Sequence, residues 1–226
     1  FYRNHDCIAE YYGNPVVDSV FNYRKKNPDF KSFITANALK NKPIIALLAG
    51  SRKQEIHLCL PEMLMVIKHF PEYQFVIAGA PSIPADFYKP YIENENVYLL
   101  YDQTYEILAH ATAAIVTSGT ATLETALFRV PQVVIYKTSA FTYYAGRPFV
   151  DIEFFSLVNL ILGYEAVKEL LQFNLADKIK RELDRILFDQ TYREKMIGHY
   201  DELIKKAGNP GVSERVAGRM IELLTN

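Results

Sequence analysis

The chain has 226 residues, 50% hydrophobic and 23% charged, the composition of a folded globular protein with one substantial core. Its 25 Lys and Arg nearly cancel 26 Asp and Glu, so no global field recruits nucleic acid. No apolar run is long enough for a membrane-spanning helix, and none of the residues reads as a signal peptide. The two cysteines, Cys7 and Cys59, are too isolated for a disulfide framework or a metal knuckle, so a reducing compartment is expected. The sequence opens in mid-pattern without Met and is expected to be part of a longer protein.

Residues 1–42 carry aromatics, a Gly13-Asn14-Pro15 turn and a basic stretch at Arg24-Lys25-Lys26. They read as a connector, or the tail of a preceding domain, outside the main sheet. From Pro43, short apolar runs alternate with helical stretches. The strand candidates are 44–48, 74–78, 97–100, 114–117 and 132–136, each rich in Val, Ile or Leu, as strands buried on both faces are. Ile56, Leu60, Met63, Ile67 and Phe70 recur at helical steps on one face, with Pro61 expected to bend or shift that helix. Residues 105–111 and 122–128 supply later crossover helices. This alternation predicts a doubly wound, Rossmann-like parallel sheet over residues 43–188.

After Asn174 the pattern is helical. Leu175, Ile179, Leu183 and Ile186 share one face, and Met196, Tyr200 and Leu203 share another. Lys205-Lys206-Ala207-Gly208 reads as a helix stop, and Ser213 as the cap of a last helix carrying Val216, Met220 and Leu223. Residues 189–226 read as a separate set of C-terminal helices.

In such a sheet, ligands bind beyond the carboxyl ends of the strands. Two loops there have chemistry. Gly50 in Ala49-Gly50-Ser51-Arg52 permits close backbone approach, Ser51 adds a hydroxyl, and Arg52 offers a donor fork suited to phosphate. In the run Ser118, Gly119, Thr120, Ala121, Thr122, free amides at a helix start and three hydroxyls predict an anion cradle. Glu124, one turn into that helix, suits a ribose diol rather than a phosphate. Read blandly, each loop is an ordinary strand-to-helix turn; together, after strands of one sheet, they suggest a phosphorylated nucleotide. Neither matches a Walker loop or the dinucleotide fingerprint, the scattered histidines show no metal spacing, and no cofactor or metal is expected. Phe141, Tyr143, Tyr144, Phe149, Phe154 and Phe155 crowd around Arg147, either as a self-packed loop or as a greasy surface facing lipid chains or a partner subunit. Asn159, in the apolar run that follows, should have a designated hydrogen-bond partner.

Several segments resemble the lipid A disaccharide synthases, two-domain glycosyltransferases of the GT-B type. They are LLAGSRKQEI (47–56), VTSGTATLETAL (116–127), PQVVIYK (131–137), AFTYYAGR (140–147) and SLVNLILGYEAVKELLQ (156–172). The opening FYRNHDCIAEYYGNPVVD (1–18) is similar to the segment joining that family's domains, so the chain corresponds to its C-terminal half. The family usually has Pro where Ala49 stands, His for Asn14, Pro for Val158 and Arg for Tyr164, and no ligand role is carried to Tyr164.

The resemblance implies transfer of 2,3-diacylglucosamine from its UDP donor to 2,3-diacylglucosamine 1-phosphate, giving the β-1,6 disaccharide and UDP. It places the general base on the N-terminal domain, outside this chain, and leaves donor binding here. Gly50, Ser51, Arg52 and Ser118 to Thr122 would meet the diphosphate and Glu124 the ribose. Asn159 would lie near the phosphates or sugar, and the uracil near Tyr101, Asp102 and Gln103. It further implies a lipid acceptor, a cytoplasmic location peripheral to a Gram-negative inner membrane, and scope for a homodimer. The alternatives are a UDP-N-acetylglucosamine 2-epimerase-like enzyme and a non-catalytic nucleotide-binding or assembly module.

Overall fold

The computed structural model describes residues 9–26, 29–93, 95–138 and 153–225. The expected aromatic surface therefore lies largely outside the described residues, only Phe154 and Phe155 falling inside.

The six strands are β1 (Ile44–Leu48), β2 (Gln74–Gly79), β3 (Val97–Tyr101), β4 (Ala111–Thr117), β5 (Gln132–Tyr136) and β6 (Lys168–Leu171). All pair in parallel, in the order β3-β2-β1-β4-β5-β6, so the expected doubly wound sheet is present. The order reverses between β1 and β4, the switch point at which such sheets open a crevice. There Leu48 pairs with Val116, so both following loops leave the sheet at the same level.

Ten helices accompany the strands among the described residues: α1 (Val16–Arg24), α2 (Phe30–Ala36), α3 (Lys53–Leu64), α4 (Ala85–Ile92), α5 (Thr104–His110), α6 (Thr120–Leu127), α7 (Leu157–Leu162), α8 (Leu175–Phe188), α9 (Gln190–Ala207) and α10 (Val212–Thr225). β1 is buried along its whole length between helical layers, which explains its unbroken apolar run. Pro61 is accommodated inside α3; that helix ends at Leu64, and a separate turn of 3-10 helix, Ile67–His69, completes the stretch expected to be one helix.

Three expectations change. β6 was not anticipated: it is an edge strand of sequence Lys-Glu-Leu-Leu, and its polar half masks the apolar signal. The ends are not separate from the core. Val17, Val20, Phe33 and Ile34 pack into the same cluster as the strands, as do Met196, Tyr200 and Leu203 of α9. Finally, Ser213 does not cap α10 by itself. The Asp18 carboxylate on α1 accepts from the Gly211, Val212 and Ser213 amides at 2.6, 3.1 and 2.8 Å and from the Ser213 hydroxyl at 2.8 Å. Those bonds, chiefly from Ser213, hold the Asp18 pKa down to about 2. Past this cap, α10 exposes Met220, Ile221, Leu223 and Leu224.

Candidate functional site

The loops after β1 and β4 line one cleft of about 420 Å³ at the switch point. Gly50, Ser51 and Arg52 form one wall, Ser118 to Ala121 the other, and Glu124 faces the same space. The end of β2 and the loop after it contribute Gly79, Ala80 and Pro81, and Thr104 at the start of α5 also reaches the cleft. The sequence carried a signal for the β2 loop, small residues directly after a buried strand.

The two walls differ in their amides. Gly50 adopts φ +106°, and a Cβ there would stand 2.6 Å from Glu55 Oε2, so only glycine fits. The Glu55 carboxylate reaches back to accept from the Ser51 and Arg52 amides at 3.0 and 3.3 Å. Its other oxygen meets the Arg52 guanidinium at 3.1 Å, while the Arg52 side chain stays 82% exposed. The Ser51 and Arg52 amides of the first wall are therefore already capped. Glu55, the third residue of α3, is a capping-box carboxylate that the sequence displayed and the reading missed.

At the second wall the Gly119, Thr120 and Ala121 amides lie at the α6 start, where no preceding turn supplies acceptors. Gly119 sits at φ +146° with no atom within 4 Å of a Cβ built there. Of the three hydroxyls expected in the cradle, two have other work. Ser118 Oγ donates to the Phe155 carbonyl at 2.5 Å, and its amide extends the β4–β5 ladder to Ile135 at 3.0 Å. Thr122 is buried; its Oγ1 donates to the Gly119 carbonyl at 2.7 Å and accepts from the Leu157 amide at 3.2 Å. Thr122 thus shapes the loop from behind, and Thr120 is the exposed hydroxyl.

Glu124 is half-buried, and Tyr105 on α5 donates its hydroxyl to Glu124 Oε1 at 2.9 Å. Burial pushes the Glu124 carboxyl up, and the Tyr105 hydrogen bond works in the opposite direction.

The remaining candidates sit elsewhere. Tyr101 donates to the Ile83 carbonyl at 3.0 Å, Asp102 turns the chain at φ +56°, and Gln103 exchanges two 2.9 Å hydrogen bonds with Asn37. Asn159 is wholly buried. Its amide nitrogen donates to the Val167 carbonyl and Glu169 Oε1 at 2.9 and 2.7 Å; its oxygen accepts from the Ala166 and Val167 amides at 2.8 and 3.0 Å. The designated partners expected for this residue are present, and they use its full hydrogen-bonding capacity inside the chain. Glu169 also accepts from the Phe155 and Ser156 amides at 2.8 and 2.9 Å, tying the segment before α7 to the sheet edge.

A family model described as lipid-A-disaccharide synthetase matches residues 1–217. Among curated relatives, the lipid-A-disaccharide synthase of Myxococcus xanthus is 35% identical over 99% of this chain and 60% of its own length. That of Geobacter sulfurreducens is 31% identical, over 99% and 59%. The chain thus spans about 60% of the length of these relatives. In structure, the chain is similar to a UDP-GlcNAc 2-epimerase from Neisseria meningitidis bound to UDP-GlcNAc. The TM-score is 0.64 at 18% identity, covering 93% of this chain and 54% of that one. It is also similar to the Streptomyces nogalater glycosyltransferase SnogD, with TM-score 0.51 at 18% identity over 81% of this chain and 44% of that one. At such identities the likeness is one of fold, which epimerases and GT-B glycosyltransferases share. Sequence carries the assignment further: the chain belongs to the lipid-A-disaccharide synthetase family.

Proposed function

We propose that this chain binds the UDP-linked donor of a lipid A disaccharide synthase, whose reaction moves 2,3-diacylglucosamine from UDP to 2,3-diacylglucosamine 1-phosphate with inversion. The observation that carries the reading is the shared cleft: the β1 and β4 loops face each other across the switch point of the sheet. The diphosphate lies against the open first turn of α6, where amides and the helix dipole favour negative charge. Arg52 swings from Glu55 to meet it, an exchange its exposure permits. Glu124 takes the ribose, and Thr104 marks the side of the cleft nearest the base.

The acceptor hydroxyl must lose a proton as it attacks the anomeric carbon. No residue of this chain is assigned that role; the general base is placed in sequence N-terminal to it. This half stabilises the departing UDP through the α6 amides and Arg52. The substrates put the reaction at a cytoplasmic membrane face, and the enzyme is taken to lie on that surface without crossing it.

The test is a UDP titration followed by a structure of the complex. The diphosphate is expected between Arg52 and Gly119, with the ribose at Glu124. A diphosphate bound outside this cleft, or no UDP affinity at millimolar concentration, would sink the reading.

A further inference from the structure

Glu124 is not an isolated carboxylate. Its Oε1 is held from α5 by the Tyr105 hydroxyl at 2.9 Å, so a residue of one strand–helix unit braces the site residue of the next. The Tyr105 ring is itself clamped. Phe128, just past α6, packs on it at 5.3 Å between ring centres, and Tyr23 of α1 meets it edge-on at 5.6 Å. The hydroxyl is therefore delivered to a fixed point. Burial, with Glu124 alongside, raises the Tyr105 pKa well above the ordinary tyrosine value, so this hydroxyl remains a donor.

We propose that Tyr105 is the positioning residue for nucleoside recognition: its hydroxyl orients the Glu124 carboxylate to accept both hydroxyls of a ribose. The inference rests on the nucleotide reading above and goes beyond it by naming what makes Glu124 competent. An ionised carboxylate has about four acceptor sites, and Tyr105 occupies one on Oε1, leaving Oε2 and the rest of Oε1 for a diol. A free glutamate would have to lose the freedom of three torsions when a ligand arrives; this one is already ordered. The same bond favours the ionised form against burial. A protonated carboxyl would lose acceptor capacity at the position where two hydroxyls need it.

Tyr105→Phe keeps the ring packing and removes the donor. The readout is the affinity of the full chain, by calorimetry, for UDP and for 2′,3′-dideoxy-UDP. Wild type is expected to prefer UDP, and Tyr105→Phe to weaken UDP about fivefold to twentyfold while moving the dideoxy analogue less than twofold. Adding Tyr105→Phe to Glu124→Gln should then weaken UDP less than twofold further, because Tyr105 acts through the carboxylate. Equal losses for both ligands, or full additivity in the double variant, would overturn the positioning role and leave the nucleotide reading standing. Wild-type binding of UDP without preference over the dideoxy analogue would remove the ribose contact and the proposal with it.

Discussion

The strand-to-helix junctions after β1 and β4 look alike in sequence, each a glycine followed by a hydroxyl residue, with a glutamate five residues after the glycine. In the structure they are opposites. After β1, Glu55 folds back onto the Ser51 and Arg52 amides and closes the α3 terminus from within. After β4, Glu124 points away to Tyr105, and the first turn of α6 is left open to the cleft. A helix start is an anion site only where the chain has not already supplied the anion. The β1 junction thus offers a side chain, Arg52, and the β4 junction offers backbone.

Substituting the two glycines should separate the junctions most strongly. Gly50→Ala combines a left-handed backbone with a clash that displaces Glu55. It should destabilise the fold by about 2–4 kcal/mol, the sum of backbone strain and a lost cap. Gly119→Ala meets open space and carries strain alone, about 1–3 kcal/mol. Urea denaturation of both variants reads the difference; equal costs would show that the Glu55 cap contributes nothing. A smaller effect with an unusual pair of signs comes from Glu55→Ala. Loss of the cap should lower stability by about 1 kcal/mol, while UDP affinity holds or rises, because two amides are freed and a carboxylate leaves the cleft. A fall in UDP affinity greater than twofold in this variant would mean that Glu55 is needed to present Arg52.

The sheet was legible because its central strands are buried on both faces and must be apolar throughout, as Ile44–Leu48 is. The loops were legible for the same reason, since a glycine directly after such a strand stands out. What each polar group does was not. Whether Thr122 faces a ligand or the Gly119 carbonyl depends on a single side-chain torsion, and Asn159 looks equally fit for a phosphate or for the β6 edge. The Asp18 cap on α10 joins residues 195 positions apart, beyond any local pattern. Tyr105 gave no signal either: it reads as one more aromatic on a helix face, and only the neighbouring unit shows what its hydroxyl meets.

The subtlest contrast to sharpen is electrostatic. Burial raises the Glu124 pKa above the ordinary value of 4.5, so the folded chain binds that proton more tightly than the unfolded one. Its contribution to stability is therefore most favourable below that ordinary value and is lost as pH rises through the raised one. Ribose binding has the opposite sign, because the diol needs the ionised carboxylate. As pH falls through the raised value, affinity for UDP should drop while this group's effect on stability improves. The terminal phosphate of UDP itself titrates at about 6, so the informative quantity is the affinity ratio of wild type to Glu124→Gln at each pH. That ratio should shrink toward one on acidification, and the stability difference between the two proteins should move the other way. A ratio that stays constant across the acid limb would place the titrating group elsewhere and return Glu124 to a purely structural bond with Tyr105.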